Sequence, residues 1–198
     1  MNILYIKSSV SGEDSHSIKL GDYIVEKHQQ AYKNNTVVVK DLVKSPLPYF
    51  GEEHYKFLFL NENKDSQETL EIIKKCDESI EEIEKADVVV IGVPMYNFGI
   101  PAVLKTWIDF ISRAKRTFKY TENGPEGLLV NKKVYLAISS GGLYTSEQMK
   151  SLDFTESFLK TVFNFLGMTD ITVLRVEGVG IPGVKENSFE KAISNFQI

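Results

Sequence analysis

The chain has 198 residues, 42% of them hydrophobic, enough for one substantial core and one domain over residues 1–198. A formal net charge of −4 argues against general nucleic-acid binding, and no apolar run approaches the roughly 20 residues of a membrane span. A single cysteine, Cys76, excludes an intrachain disulfide and fits a reducing, cytoplasmic setting; His16, His28 and His54 show no zinc-like spacing with it, so no metal site is expected.

Asn2 to Lys7 reads as the first strand, and it runs directly into Ser8-Ser9-Val10-Ser11-Gly12-Glu13-Asp14-Ser15-His16-Ser17, a loop with five serines. Asp14 or Ser15 suits the cap of a helix whose apolar stripe is Ile18, Tyr23, Ile24 and Val25, with His28 or Tyr32 as an extension. Thr36 to Asp41 is the second strand. Leu42 to about Asp65 is irregular and rich in aromatics, among them Tyr49, Phe50, Tyr55, Phe57 and Phe59, which need partners to cover them. A helix from about Ser66 to Lys85 puts Leu70, Ile73, Cys76, Ile80 and Ile83 on one face, and its acidic face reads as solvated surface. Cys76 lies in the apolar stripe and reads as a small core residue.

Val88 to Val93 is an unbroken apolar run, as expected of a strand buried on both faces. It ends in a loop, Pro94-Met95-Tyr96-Asn97-Phe98-Gly99-Ile100-Pro101, from which a helix runs from Ala102 to about Ala114. Residues 117–127 read as a polar, turn-rich loop carrying Phe118 and Tyr120. Lys133 to Ser139 is the fourth strand and opens into Ser139-Ser140-Gly141-Gly142. A helix over about Asp153 to Leu166, a fifth strand over Asp170 to Glu177 and a helix over about Glu186 to Asn195 complete the chain.

Strict alternation of strand and helix implies a parallel sheet with right-handed crossovers and helices on both faces. Five strands suit a flavodoxin-like three-layer α/β sandwich in the order 2-1-3-4-5, whose switch point lies between strands one and three. In that order the serine-rich, Tyr-Asn-Phe and Ser-Ser-Gly-Gly loops meet on one rim. Hydroxyls beside free N–H groups at a helix start suit a phosphate. The Tyr96, Asn97 and Phe98 segment offers a flat ring and an amide for a heterocycle edge, and Gly141 with Gly142 lets backbone N–H groups approach closely. Together these fit a flavin mononucleotide better than an isolated sugar phosphate.

Other motifs do not compete. Gly178-Val179-Gly180-Ile181-Pro182-Gly183 matches G-x-G-x-x-G, but it follows the last strand and leaves too little chain for a dinucleotide-binding unit. The basic run Arg113, Lys115, Arg116 and Lys119 reads first as solvated surface, and second as a receptor for an anionic substrate.

Pro94-Met95-Tyr96-Asn97-Phe98 through Leu104-Lys105, and Thr117 through Gly127, strongly resemble the FMN-dependent NADH-azoreductases, also described as NADH:quinone oxidoreductases. The likeness runs from Lys7-Ser8-Ser9 to Glu177-Gly178. It implies one non-covalent FMN per subunit, NADH as donor, and a homodimer with active sites at the subunit interface. By matching position the cofactor contacts are Ser9, Ser15, His16 and Ser17, then Pro94, Met95, Tyr96, Asn97 and Phe98, then Ser139, Ser140, Gly141 and Gly142. Three positions depart from the family pattern: His16 stands in place of Gln, Ser140 in place of Arg, and Lys115 in place of Gly.

The expected activity is two-electron transfer from NADH to quinones, with reductive cleavage of aromatic azo compounds, by a ping-pong scheme. The flavin carries the chemistry, so no side chain is assigned as catalytic. Tyr120, Phe57, Phe59 and Phe163 are the expected aromatic walls for the acceptor. The alternatives are a flavodoxin-type electron carrier and an NADPH-preferring flavin reductase, with a 2′-phosphate on the basic run near Lys115.

Overall fold

The computed structural model describes residues 1–56 and 67–198, and for Glu53 and Glu68 the backbone alone. In chain order the elements are β1 (Asn2–Lys7), α1 (His16–Ala31), β2 (Thr36–Asp41), α2 (Glu52–Tyr55), α3 (Gln67–Lys85), β3 (Val88–Pro94) and α4 (Ala102–Ile111). There follow β4 (Phe118–Thr121), β5 (Gly124–Gly127), β6 (Lys133–Ser139), α5 (Phe154–Phe165), β7 (Asp170–Val176) and α6 (Lys185–Ile193). The main sheet has the order β2-β1-β3-β6-β7, with every neighbour parallel. With β4 and β5 set aside, this is the expected 2-1-3-4-5 order.

All seven residues of β3 are buried, because helices cover both sides of the central strand. Its side chains alternate between two cores. Val88 and Val90 join Ile3, Tyr5, Leu20, Ile24 and the α6 residues Phe189 and Ile193. Val89, Ile91 and Val93 join Ile80, Ile83, Leu104, Trp107, Leu159 and Phe163. So α1 and α6 cover one face while α3, α4 and α5 cover the other. Each fully buried Val or Ile contributes about 1.5–3 kcal/mol, which makes β3 the strand least able to shift.

Some expected boundaries and faces hold and others are corrected. Ser15 caps α1, its side chain accepting from the Ile18 N–H. The buried face of α1 includes Leu20 and His28, while Tyr32 is exposed. In α3 it is Ile72, not Leu70, that shares the core with Cys76; Leu70 faces solvent. The helix after Pro101 stops at Ile111 rather than Ala114, where Ser112 Oγ donates to the Ile108 carbonyl at 2.7 Å.

The polar segment after α4 is not an open loop: Phe118–Thr121 pairs antiparallel with Gly124–Gly127. A Cβ on Gly127 would lie 2.1 Å from the Gly167 nitrogen, so only glycine permits the contact that seats this hairpin beside the end of α5. Among the described residues, no helix is long and apolar enough to cross a membrane.

Candidate functional site

The loop after β1 is held against β3. Ser8 Oγ donates to the Gly92 carbonyl at 2.7 Å, and a Cβ on Gly92 would sit 3.2 Å from the Ser17 carbonyl oxygen. Gly92 therefore lets the start of α1 approach the central strand closely. Ser8, Ser9, Ser15 and Ser17 are all buried. Ser15 Oγ and Ser17 Oγ lie 3.0 Å apart, and Ser9 Oγ accepts from the Ser11 N–H at 3.3 Å. Ser15 and Ser17 lie at the N-terminal turn of a 16-residue helix, whose first amides have no intrahelical acceptor and carry the positive end of its dipole. His16 is half-buried. Burial, then the charges of Lys19 and Lys185, hold its pKa below the ordinary histidine value, so the ring is neutral at neutral pH.

The loop after β3 locks onto the first. Tyr96 OH lies 3.3 Å from Ser9 Oγ and accepts from the Val10 N–H at 3.3 Å. Tyr96 and Gly99 exchange backbone hydrogen bonds at 3.0 and 3.1 Å. Between them Asn97 and Phe98 have φ of 49° and 68°. This is a type I′ turn, which needs positive φ at both central residues. Asparagine tolerates that region; phenylalanine does so at a cost of about 1–2 kcal/mol. The surroundings hold it there. The Phe98 carbonyl accepts from the Phe154 N–H at 3.1 Å, and the Phe98 ring meets Tyr144 edge-on at 6.3 Å. The ring is nonetheless 47% exposed, so a strained and anchored aromatic faces outward.

The loop after β6 is fixed from behind. Met95 N–H donates to the Ser139 carbonyl at 2.8 Å, tying the second and third loops together. The carbonyls of Ser140, Gly141 and Gly142 accept from Val179, Gly180 and Gly178 at 3.2, 3.1 and 3.0 Å. In a trans peptide the N–H points opposite to the preceding carbonyl. The Gly141 and Gly142 N–H groups are thus aimed away from residues 178–180, and a Cβ on Gly141 would meet nothing within 4 Å. The G-x-G-x-x-G match has a structural use here: Gly178 has φ of 72°, and its segment braces the third loop.

Thirteen expected cofactor contacts, from Ser9 to Gly142, thus fall on three loops that the sheet brings to one rim. The expected aromatic walls divide. Tyr120 lies on β4, 75% exposed, with its ring edge-on to Phe118. Its hairpin is anchored by Gly127 at the C-terminal end of α5, and the helix's 12 residues separate that end from the Phe154–Phe98 contact. At 1.5 Å per residue this is about 18 Å. Phe163 is fully buried in the core and presents no face to a ligand, which corrects its expected place in the acceptor slot. Phe57 and Phe59 lie outside the described residues. Sequence reading missed Ser8, Tyr144 and Glu177. The last accepts from the Tyr144 and Thr145 N–H groups at 2.9 and 3.1 Å; the sequence placed it inside the fifth strand, whereas the strand ends one residue earlier.

The charged features stand apart from this rim. Arg113 and Arg116 pair with Asp77, Arg116 also meets Glu84 at 3.0 Å, and Lys119 meets Glu126 at 3.0 Å. Burial pushes the Cys76 thiol up to about 11, so it is not a thiolate at neutral pH.

A flavodoxin-like fold family model matches residues 1–197. An FMN-dependent NADH:quinone oxidoreductase of Aromatoleum aromaticum is 44% identical over 97% of this chain and 96% of its own length. One of the same description from Azospirillum brasilense is 46% identical over 91% of this chain and 88% of its own. The chain belongs to the FMN-dependent NADH:quinone oxidoreductase family, within the flavodoxin-like fold. Among solved structures, an azoreductase of Bacillus anthracis superposes with a TM-score of 0.89 at 30% identity, covering 98% of this chain and 95% of that one. An FMN-dependent NADH-azoreductase of the same species, in complex with FMN, gives 0.87 at 28% identity over 98% and 96%. The family's members in these comparisons are oxidoreductases, and that class is the one to which the Pro94-Met95-Tyr96-Asn97-Phe98 segment pointed.

Proposed function

We propose that this chain holds FMN across the three-loop rim and passes two electrons from NADH to quinones or aromatic azo compounds, donor and acceptor taking one seat in turn. The observation that carries the reading is the convergence of buried serine hydroxyls, a strained type I′ turn bearing an outward aromatic ring, and a glycine pair whose N–H groups point away from the segment that braces it. When bound, FMN supplies the hydride-accepting and hydride-donating chemistry.

The residues present fit that cofactor. Ser9, Ser15 and Ser17 with the first amides of α1 receive the phosphate; hydrogen bonds to a charged group contribute about 1.5–3 kcal/mol each. Pro94 to Phe98 flank one side of the ring system. The Gly141 and Gly142 N–H groups offset negative charge that develops on the ring during reduction, as donors do at an oxyanion site. Ser139 and Ser140 set the loop, and neutral His16 closes the phosphate end without adding charge. No acid–base side chain is assigned.

A homodimer fits the position of Tyr120. Its hairpin is anchored a helix length from the rim of its own chain, so in this reading the ring walls the acceptor slot of a second copy. The domain is 1–198 and the setting a reducing cytoplasm, in keeping with one buried thiol. The pairing of Arg113, Arg116 and Lys119 with carboxylates occupies three of the four cations of the basic run and favours NADH over NADPH. An electron carrier would not need a slot for a second small molecule.

The test is anaerobic. The yellow protein is mixed with NADH or NADPH, and a quinone is then added. Direct bleaching by NADH and reoxidation by quinone is expected; bleaching only through an added reductase would overturn the enzyme in favour of the carrier.

A further inference from the structure

Arg175 sits next to last in β7, opposite Ile138 of β6, with its side chain only 10% exposed. Three carboxylates surround it. Nη2 lies 2.7 Å from Asp153 Oδ2 as an ion pair without hydrogen-bond alignment, Nη1 donates to Glu156 at 2.8 Å, and Nε donates to Glu177 at 3.3 Å. Asp153 and Glu177 are themselves nearly buried, at 7% and 11%. Arg175, Asp153 and Glu156 also line a pocket of about 500 Å3 together with Tyr144 and Thr145.

Two of the carboxylates lead to the rim by different routes. Asp153 caps α5, its Oδ1 accepting from the Thr155 N–H at 2.8 Å. The next residue, Phe154, donates the N–H that holds the strained Phe98 carbonyl. Glu177 accepts from the Tyr144 and Thr145 N–H groups and from Thr145 Oγ1, fixing the stretch after Gly142. Tyr144 in turn lies edge-on to Phe98 and 3.2 Å from where a Gly142 Cβ would be. One cation therefore ties together the supports of two loops that are also joined at their base by the Met95–Ser139 hydrogen bond.

We propose that Arg175 is a positioning residue for the cofactor seat: its fork, through Asp153 and Glu177, sets the spacing between the Asn97–Phe98 turn and the Gly141–Gly142 loop. The proposal rests on that rim being the FMN seat. Arginine is suited to the task because its planar fork engages several carboxylates at fixed angles, which a lysine cannot reproduce. A fully buried cation would be costly with fewer partners; here three carboxylates outweigh burial and hold its proton more tightly than usual.

The test uses apoprotein reconstituted with FMN. Arg175→Lys keeps the charge and loses the fork. Asp153→Ser keeps the α5 cap and loses the ion pair, and it serves where the first variant folds poorly. Both are expected to raise the FMN Kd at least tenfold and to alter the visible absorption and circular dichroism of bound flavin, with the apoprotein melting point moved by only a few degrees. The double variant is expected to be no worse than the poorer single one, since both cut one linkage. Variants that bind FMN within twofold of wild type with an unchanged spectrum would overturn the proposal, whatever their melting points. Wild-type protein that takes up no FMN would overturn the seat itself, a separate and visible failure.

Discussion

The rim above the sheet and the charged flank formed by α3 with residues 113–119 are made of opposite materials. The flank is dense in ions, yet its arginines are already matched to Asp77 and Glu84, and Lys119 to Glu126. The rim carries few charges, and its hydroxyls, strained turn and outward amides are directed toward open space or toward one another. Ionised side chains that find partners across elements become structural, with little left for a ligand. Backbone groups that the fold aims but does not satisfy are what a cofactor can complete. Charge density in a sequence is therefore a poorer guide to a site than small polar residues at strand ends.

The largest effect that would break this contrast is at Ser15. Ser15→Ala removes a hydroxyl from the phosphate end and a helix cap. Losing one hydrogen bond to a charged group, about 1.5–3 kcal/mol, raises the FMN Kd roughly 10- to 150-fold. The cap adds about 1 kcal/mol of lost stability, which lowers the melting point by about 2–4 °C. Riboflavin, which lacks the phosphate, is the control: its affinity is expected to stay within about threefold. An equal loss for riboflavin and FMN would mean that the serine loop supports the fold and does not receive the phosphate.

A smaller effect sharpens the other half. Arg113→Gln combined with Arg116→Gln removes two of the four cations that sequence alone offers to a 2′-phosphate. Partly exposed pairs contribute about 0–1 kcal/mol each, so stability falls slightly. The ratio of kcat/KM for NADH to that for NADPH is expected to stay within about twofold. A selective tenfold loss with NADPH would return these arginines to the site and undo the contrast.

What could be read from the sequence follows the same division. The five-stranded sheet was legible because Val88 to Val93 is uniformly apolar and each strand ends in small or turn-forming residues. The three rim loops were legible for the same reason, as strand ends fix where they lie. The strain at Phe98 was not, since a phenylalanine gives no local signal for positive φ; Phe154 and Tyr144, more than forty positions away, hold it there. Phe163 shows the reverse error. An aromatic residue near a site looks like a wall, but α5 turns that position into the core with Leu159. The β4–β5 hairpin was hidden because Gly124, Pro125 and Gly127 spell turn more strongly than strand, and the Gly127–Gly167 contact that seats it is long-range.

The smallest effect concerns Lys115, a lysine at a backbone position that suits glycine. Lys115 has φ of 68°, and its N–H donates to the Phe118 carbonyl at 2.7 Å, so the chain keeps a glycine-type turn with a lysine in it. A side chain in that region costs about 1–2 kcal/mol, while glycine brings back about 0.5–1 kcal/mol of extra chain entropy on unfolding. Lys115→Gly is therefore expected to stabilise the protein by about 0.5–1 kcal/mol and raise its melting point by about 1–4 °C. Because Lys115 is exposed and lies on the charged flank rather than the rim, kcat/KM with NADH is expected to stay within about twofold. A lower melting point would mean that the lysine side chain makes contacts worth more than its strain. A large loss of activity with a raised melting point would mean that this one cation, unlike its neighbours, acts on the substrate.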